Sequence, residues 1–343
     1  MEIHVTRYGS KVSVKDEMFE VSWFDEQQNR QQESHSPLSV KTILLQDGVV
    51  VTTAALLLAL QHDVDVLVAD LHGMPKGRCY GFDLHSTPAV QKSQVIVSVS
   101  HQAVALVKNW TAQKLENQSA FLEKLKNRRD ESKGEMLGKG AQEILKKRKE
   151  VLALDGKRVS DIADSLRGLE GAAGQTYFKT LSDLLPIEYR FNTRSRMPAR
   201  DPFNCFLNYG YAVLQADVER ALLLAGISPY IGFLHRDDYR QKSMVFDFME
   251  PYRVWIDRVV YRLFSGKKIT SKHTEAIEGG LQLNKEGKKL LTEGIREFYE
   301  EKKETLDGKT VSRIYFLRQT AVRFARRLLQ LAALEKENGT HTA

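Results

Sequence analysis

The chain of 343 residues carries 51 Lys+Arg against 44 Asp+Glu, a formal net charge of +7, with 42% hydrophobic residues, 8 Pro and 2 Cys. That apolar content excludes an intrinsically disordered chain, and the length suits roughly two domains of ~150 residues. Cys79 and Cys205 are too few for a disulfide framework or a zinc ribbon, which points to a reducing, cytoplasmic setting; no signal-peptide order opens the sequence, and the longest apolar run, Gly48 to Leu60, is short of the ~20 residues that span a bilayer, so no membrane association is expected.

In chain order, Glu2-Ile-His-Val-Thr6, Val12-Ser-Val14 and Phe19-Glu-Val-Ser-Trp23 alternate β-branched and aromatic residues with polar ones, which predicts strands. Thr52-Thr53 can cap a helix over Ala54 to Gln61, Val64 to Val68 predicts a further strand, and Leu71 to Gly77 a turn. After Pro88 no Pro occurs until Pro186, and apolar residues recur at helical spacing from Val104 through Trp110 and Leu115 to Leu125. The expected architecture is α+β in two domains: residues 1–88 a small β-rich domain, 89–335 a larger all-α domain, and 336–343 a frayed tail. Charge follows the same division. Residues 1–90 hold 7 basic and 12 acidic side chains, residues 91–343 hold 44 and 32. A basic second part suits a surface that neutralises phosphates, although lysines scattered over solvated helices give the same count. The charged stretch 127–150 reads as a solvated helix pair or loop, and Ser265 to Lys289 as a segment joining helices.

No Walker loop, Gly-x-Ser-x-Gly elbow or His-Glu-x-x-His occurs, and His235-Arg236-Asp237 with Asp247-Phe248-Met249 lacks the glycine-rich loop and strand lysine of a kinase. What remains is dispersed. Glu170 lies among small residues in Leu166-Arg-Gly-Leu-Glu-Gly-Ala-Ala173, open to close approach, and equally readable as a solvent-facing glutamate; Tyr177 follows on the same helical face. His235 ends a Pro- and Gly-punctuated segment that can aim it into a cleft or hold it as a structural histidine. Asp247 and Glu250, three apart before Pro251, can share a cation or form a capping-box-like helix start.

Together, Gly168-Leu-Glu-Gly171, Asp201-Pro-Phe-Asn-Cys-Phe-Leu-Asn-Tyr-Gly-Tyr211, Val218-Glu-Arg-Ala221, Ala225-Gly-Ile-Ser-Pro-Tyr-Ile-Gly-Phe-Leu-His235 and Phe246-Asp-Phe-Met-Glu-Pro-Tyr-Arg253 resemble, in order, one family over nearly the whole chain: the CRISPR-associated endonuclease and integrase of the spacer-adaptation module. The resemblance implies metal ligands at Glu170, His235 and Glu250, with Asp247 secondary and Tyr177, Asn204, Asn208 and Tyr211 as support of the site. It implies Mg²⁺ or Mn²⁺ as cofactor, and insertion of spacer DNA by attack of a 3′-hydroxyl on a phosphodiester, in prokaryotic antiviral defence. Implied partners are double-stranded and branched DNA, a second copy of the chain, and the small second adaptation protein in a heterohexamer-like complex. For DNA the candidates are Arg194, Arg196 and Arg200, beside Arg190, and Arg323, Arg326 and Arg327, beside Arg318 on the last helix. The alternatives are a non-catalytic, basic, helical DNA-binding scaffold and an unrelated helical phosphodiesterase acting on RNA.

Overall fold

The alternation in the first part of the chain does produce strands. A computed structural model describes residues 1–25, 27–62, 64–71, 75–79, 88–127, 130–235 and 241–340. Two compact units emerge, Met1–His85 and Ser86–Ala343.

In the first unit β1 (Glu2–Val5), β5 (Thr42–Gln46) and β7 (Asp65–Ala69) run parallel, with β8 (Pro75–Cys79) antiparallel at one edge. A second sheet has the order β4 (Arg30–His35), β3 (Met18–Phe24), β2 (Lys11–Lys15), β6 (Val50–Val51). Ile3, Val5, Ile43, Leu45 and Val66 join Val12, Phe19 and Val21 in one core with Ala55, Leu58 and Ala59 of α1 (Thr53–Gln61). As expected, Thr52 caps α1: its hydroxyl accepts from the Ala55 amide at 3.2 Å. Two strands escape an alternation rule. β4, Arg-Gln-Gln-Glu-Ser-His, is polar throughout because it is an exposed sheet edge, and β8 takes up part of the stretch read as a turn.

The second unit is mainly helical: α2 (Pro88–Ser98), α3 (Gln102–Lys126), α4 (Glu131–Ala153), α5 (Val159–Leu184), α6 (Pro202–Leu224), α7 (Ser243–Met249), α8 (Arg253–Ser265), α9 (Lys285–Glu300) and α10 (Arg313–Thr340). The charged stretch at 127–150 is mostly α4, which starts at the Asp130 cap and packs along α3 and α5. Gly140 makes that packing close: a Cβ there would meet Thr180 Oγ1 at 2.8 Å. The segment before α9 holds the hairpin β9 (Thr274–Ile277) and β10 (Gly280–Leu283), and a second hairpin, β11 (Lys302–Leu306) and β12 (Lys309–Ser312), precedes α10. Neither was expected in a part read as all-α. The last helix also continues to Thr340, past the tail boundary expected at 335, and Arg236 to Arg240 lie outside the described residues.

Candidate metal and phosphodiester site

Four pieces of the helical unit converge. Glu170 projects from the middle of α5, Lys114 from α3, Glu250 from the single 3-10 turn Glu250–Tyr252 between α7 and α8, and His235 from the segment after α6. The Lys114 ammonium donates a hydrogen bond to Glu170 Oε1 and lies 2.6 Å from Glu250 Oε2. Arg253, one turn after Glu250, donates from Nε to Glu250 Oε1 at 2.8 Å. The turn itself is held by Asn117 of α3, whose Nδ2 donates to the Pro251 carbonyl at 2.7 Å. Thus Asp247 and Glu250 are not a helix start: Asp247 sits in the last turn of α7, and α8 begins beyond Tyr252 without a side-chain cap.

Asp247 is instead the anchor of the histidine segment. Its buried carboxylate accepts from the backbone amides of Phe233 (2.6 Å), Leu234 (3.0 Å) and His235 (3.2 Å), and lies 2.5 Å from His235 Nδ1. Because a carboxylate accepting three amides has no proton to offer, Nδ1 is assigned as the ring donor and Nε2 is left with the lone pair. From the other side the fully buried Gln94 of α2 clamps the segment, donating to the carbonyls of Ser228 (2.9 Å) and Ile231 (2.8 Å) and accepting from the Ser228 amide (2.9 Å).

The charges of these groups act on one another. Burial alone pushes the Glu250 acid up, yet the charges of Arg253 and Lys114 hold it well below the usual carboxylate range. Lys114 is driven down by desolvation and, more strongly, up by Glu250 and Glu170. Desolvation likewise lowers the His235 pKa, and the Asp247 hydrogen bond with the charges of Asp247, Glu250 and Glu170 raises it overall, so the imidazole stands in the field of both glutamates.

Two carboxylates and an imidazole nitrogen form a donor set suited to a hard divalent cation. Glu250 Oε2 adds a specific indication: it is buried, and among the described residues its close partner is the Lys114 ammonium at 2.6 Å. Among the described residues no three His, Cys, Asp or Glu side chains stand together as a ready ligand set. The site is organised around a cation that the chain itself supplies.

The supporting residues form a second layer. Tyr177 on α5 and Tyr211 on α6 donate their hydroxyls to opposite oxygens of the buried Asp257 on α8, at 3.0 and 2.5 Å. Asn204 and Asn208 accept from the two terminal nitrogens of Arg194, whose guanidinium lies over the rings of Phe178 and Tyr211. Arg194, expected on a DNA track, is therefore turned inward, whereas Arg196 and Arg200 are exposed. On α10, Arg323 pairs with Asp307 at 2.5 Å, and Arg326 and Arg327 are exposed.

Lys114, Gln94, Asn117, Arg253 and Asp257 had no place in the sequence-derived site. For Lys114 a signal existed: it lies three residues after Thr111 and four before Gln118, both buried, so a cation shares the inward face of α3 with other polar side chains.

The family model described as CRISPR associated protein Cas1 matches residues 3–297. The CRISPR-associated endonuclease Cas1 1 of Archaeoglobus fulgidus is 33% identical over 288 residues, 80% of each chain. In fold, the chain is similar to a casposase bound to integration product (TM-score 0.81, 21% identity, covering 96% of this chain and 90% of that one). It is also similar to a chain of a Cas6-RT-Cas1–Cas2 complex (TM-score 0.74, 20% identity, 98% and 35%).

Proposed function

The chain belongs to the CRISPR associated protein Cas1 family, and we propose that it is a metal-dependent DNA endonuclease and integrase that inserts spacer DNA into a CRISPR array. One observation carries the reading: Glu170 and Glu250, 80 positions apart, converge on a single cation, with His235 in their field.

Mg²⁺ or Mn²⁺ held by Glu170, His235 and Glu250 would supply Lewis-acid polarisation of the scissile phosphate and of the attacking oxygen. The chain's own groups prepare for this. Asp247 fixes the imidazole tautomer that leaves Nε2 its lone pair for a metal, and Arg253 orients Glu250 by holding one of its oxygens. Attack by water gives cleavage, and attack by a DNA 3′-hydroxyl gives strand transfer; the latter exchanges one phosphodiester for another and needs no nucleotide, in keeping with the lack of a phosphate-binding loop. The alternative of a non-catalytic scaffold is disfavoured by the retention of both carboxylates and the imidazole.

Beside Glu170 the helix is bare. A Cβ added at Gly168, Gly171 or Gly174 meets nothing within 4 Å. Each glycine inside a helix costs about 0.5–1 kcal/mol relative to Ala, and no packing among the described residues accounts for it here. A sugar-phosphate backbone passing close to Glu170 does. Gly171→Ala is accordingly expected to stabilise the fold by about 0.5–1 kcal/mol in urea denaturation, and Gly171→Val to slow strand transfer at least tenfold while the protein remains folded. Val at full activity would remove the close-approach reading.

Arg196, Arg200, Arg326 and Arg327 are the exposed cations we assign to the DNA backbone, with affinity falling as salt rises. A homodimer joined to the small second adaptation protein is the assembly we infer. No described helix is long and apolar enough to cross a membrane.

The test is cleavage and joining of labelled branched DNA by the purified protein with Mn²⁺, with Mg²⁺ and with chelator, beside Glu170→Ala and His235→Ala. Joined products that vanish with chelator and in both variants are expected. Undiminished metal-dependent products from folded His235→Ala would overturn the ligand assignment.

A further inference from the structure

Lys114 has no part in the chemistry above, yet its ammonium occupies the centre of the site. It bridges carboxylates carried by two different elements, Glu170 on α5 and Glu250 on the turn before α8, and only 12% of its side chain is exposed. Its ammonium lies 2.6 Å from Glu250 Oε2, a close ion pair in a partly buried site. Arg253 differs: its Nε makes an aligned hydrogen bond to Oε1, on the other oxygen of the same carboxylate.

We propose that Lys114 is a tethered counter-cation: in the metal-free protein its ammonium neutralises Glu170 and Glu250, and a divalent ion binding those carboxylates displaces it. This rests on the ligand set proposed above. Charge makes the exchange necessary. With Lys114 and Arg253 in place the two glutamates are already balanced and only Asp247, beside His235, adds a further negative charge, so a dication added without movement would leave the partly buried site net positive, with the ammonium against the metal. A lysine can leave, because its point charge rides on four flexible methylenes, and it can withdraw by rotamer change while the stem stays packed. Arg253 stays, and with the dication it balances the three carboxylates Glu170, Glu250 and Asp247 once the ammonium has left. Lys114 thereby sets both the stability of the metal-free site and the affinity for the metal.

The experiment compares full-length wild type, Lys114→Met and Glu170→Gln, with Mn²⁺ binding followed through the electron paramagnetic resonance of the free ion and melting followed in chelator and in Mn²⁺. Lys114→Met is expected to bind Mn²⁺ at least tenfold more tightly than wild type, to melt earlier in chelator, and to recover with Mn²⁺. Equal or weaker binding by folded Lys114→Met, with wild-type binding lost in Glu170→Gln, overturns the counter-cation and leaves the ligand set standing. Binding undiminished in Glu170→Gln, or no binding by either wild type or Lys114→Met, overturns the ligand set and the inference with it. Should Lys114→Met fail to fold, the wild-type protein still decides. Site-resolved amine labelling read by mass spectrometry is expected to modify Lys114 at least threefold faster in saturating Mg²⁺ than in chelator, and an unchanged rate in metal-loaded protein overturns the displacement.

Discussion

Asp247→Asn is expected to leave a folded protein that binds Mn²⁺ and joins DNA about ten- to hundredfold less well, the size typical of groups that orient a metal-binding histidine. Asp247 accepts four hydrogen bonds, two at each oxygen: the amides of Phe233 and Leu234 at Oδ2, and the His235 amide and ring Nδ1 at Oδ1. An asparagine has one acceptor oxygen and one donor amide, and neither orientation satisfies the pocket. With its oxygen on Phe233 and Leu234, its NH₂ faces the His235 amide, leaving one donor unmet, and His235 Nδ1. The ring must then accept there, its proton moves to Nε2, and the lone pair offered to a cation is gone. Turned around, the NH₂ opposes two backbone amides and leaves buried donors unsatisfied, at about 1–3 kcal/mol each. The first orientation is cheaper in stability and worse in function. Calorimetric titration with Mn²⁺ beside urea denaturation separates the two effects. Wild-type metal affinity in the folded variant would show that the tautomer set by Asp247 has no bearing on the site.

That a single acidic side chain holds so much of the site was not visible in the sequence, although the residues themselves were. Taken singly, Glu170, His235 and Glu250 read equally well as structural residues; what marks them as ligands is the resemblance of their ordered segments to one family. Asp247 read as half of a helix-start motif, since its partners lie 12 to 14 positions earlier, in a segment without regular structure. Lys114 and Gln94 were more deeply hidden: Lys114 meets Glu170 across 56 positions and Gln94 meets Ser228 across 134, and no periodicity encodes such pairings. The fold shows the same division. Strands with one buried face, such as Glu2–Val5, announce themselves by alternation, and α1 by its Thr52 cap. The exposed strand β4 has no buried face to advertise. The hairpin of β11 and β12 did carry a signal that was overlooked, Asp307-Gly308, where both residues adopt the left-handed conformation that a tight hairpin turn requires. Arg194 shows the limit of reading charge by itself: four arginines within eleven positions suggested one basic track, but two asparagines one helical turn apart on α6 draw this one inward.

Asp257 is expected to make the protein less stable, not more, as the pH rises from 4.5 to 7.5, by about 2 kcal/mol relative to Asp257→Asn. The sign follows from its surroundings. Burial pushes this acid up to about 6, and the hydroxyls of Tyr211 and Tyr177 with the charges of Arg194 and Arg253 offset burial only in part. In the unfolded chain the same group titrates near 4. The folded state therefore holds the proton more tightly, so the contribution of Asp257 favours folding fully below about pH 4 and is lost as the pH climbs through 6; an ordinary ion-paired carboxylate such as Glu250 behaves in the opposite way. Asparagine keeps an acceptor for one tyrosine and has no charge to desolvate, so the difference in unfolding free energy between the two proteins isolates this one group from every other titration. Urea denaturation of both at several pH values measures it, and a flat difference, or one that favours wild type at high pH, would contradict the assignment. The choice of an acid here has a structural logic. Asp257 ties the helix of Glu170, through Tyr177, to the helix of Tyr211, whose ring lies 5.0 Å beneath Arg253, the residue that orients Glu250. Its negative charge is costly to fold around at neutral pH and places a counter-charge within reach of both Arg194 and Arg253, holding the two arginines inside the protein where the two carboxylates of the site require a rigid frame.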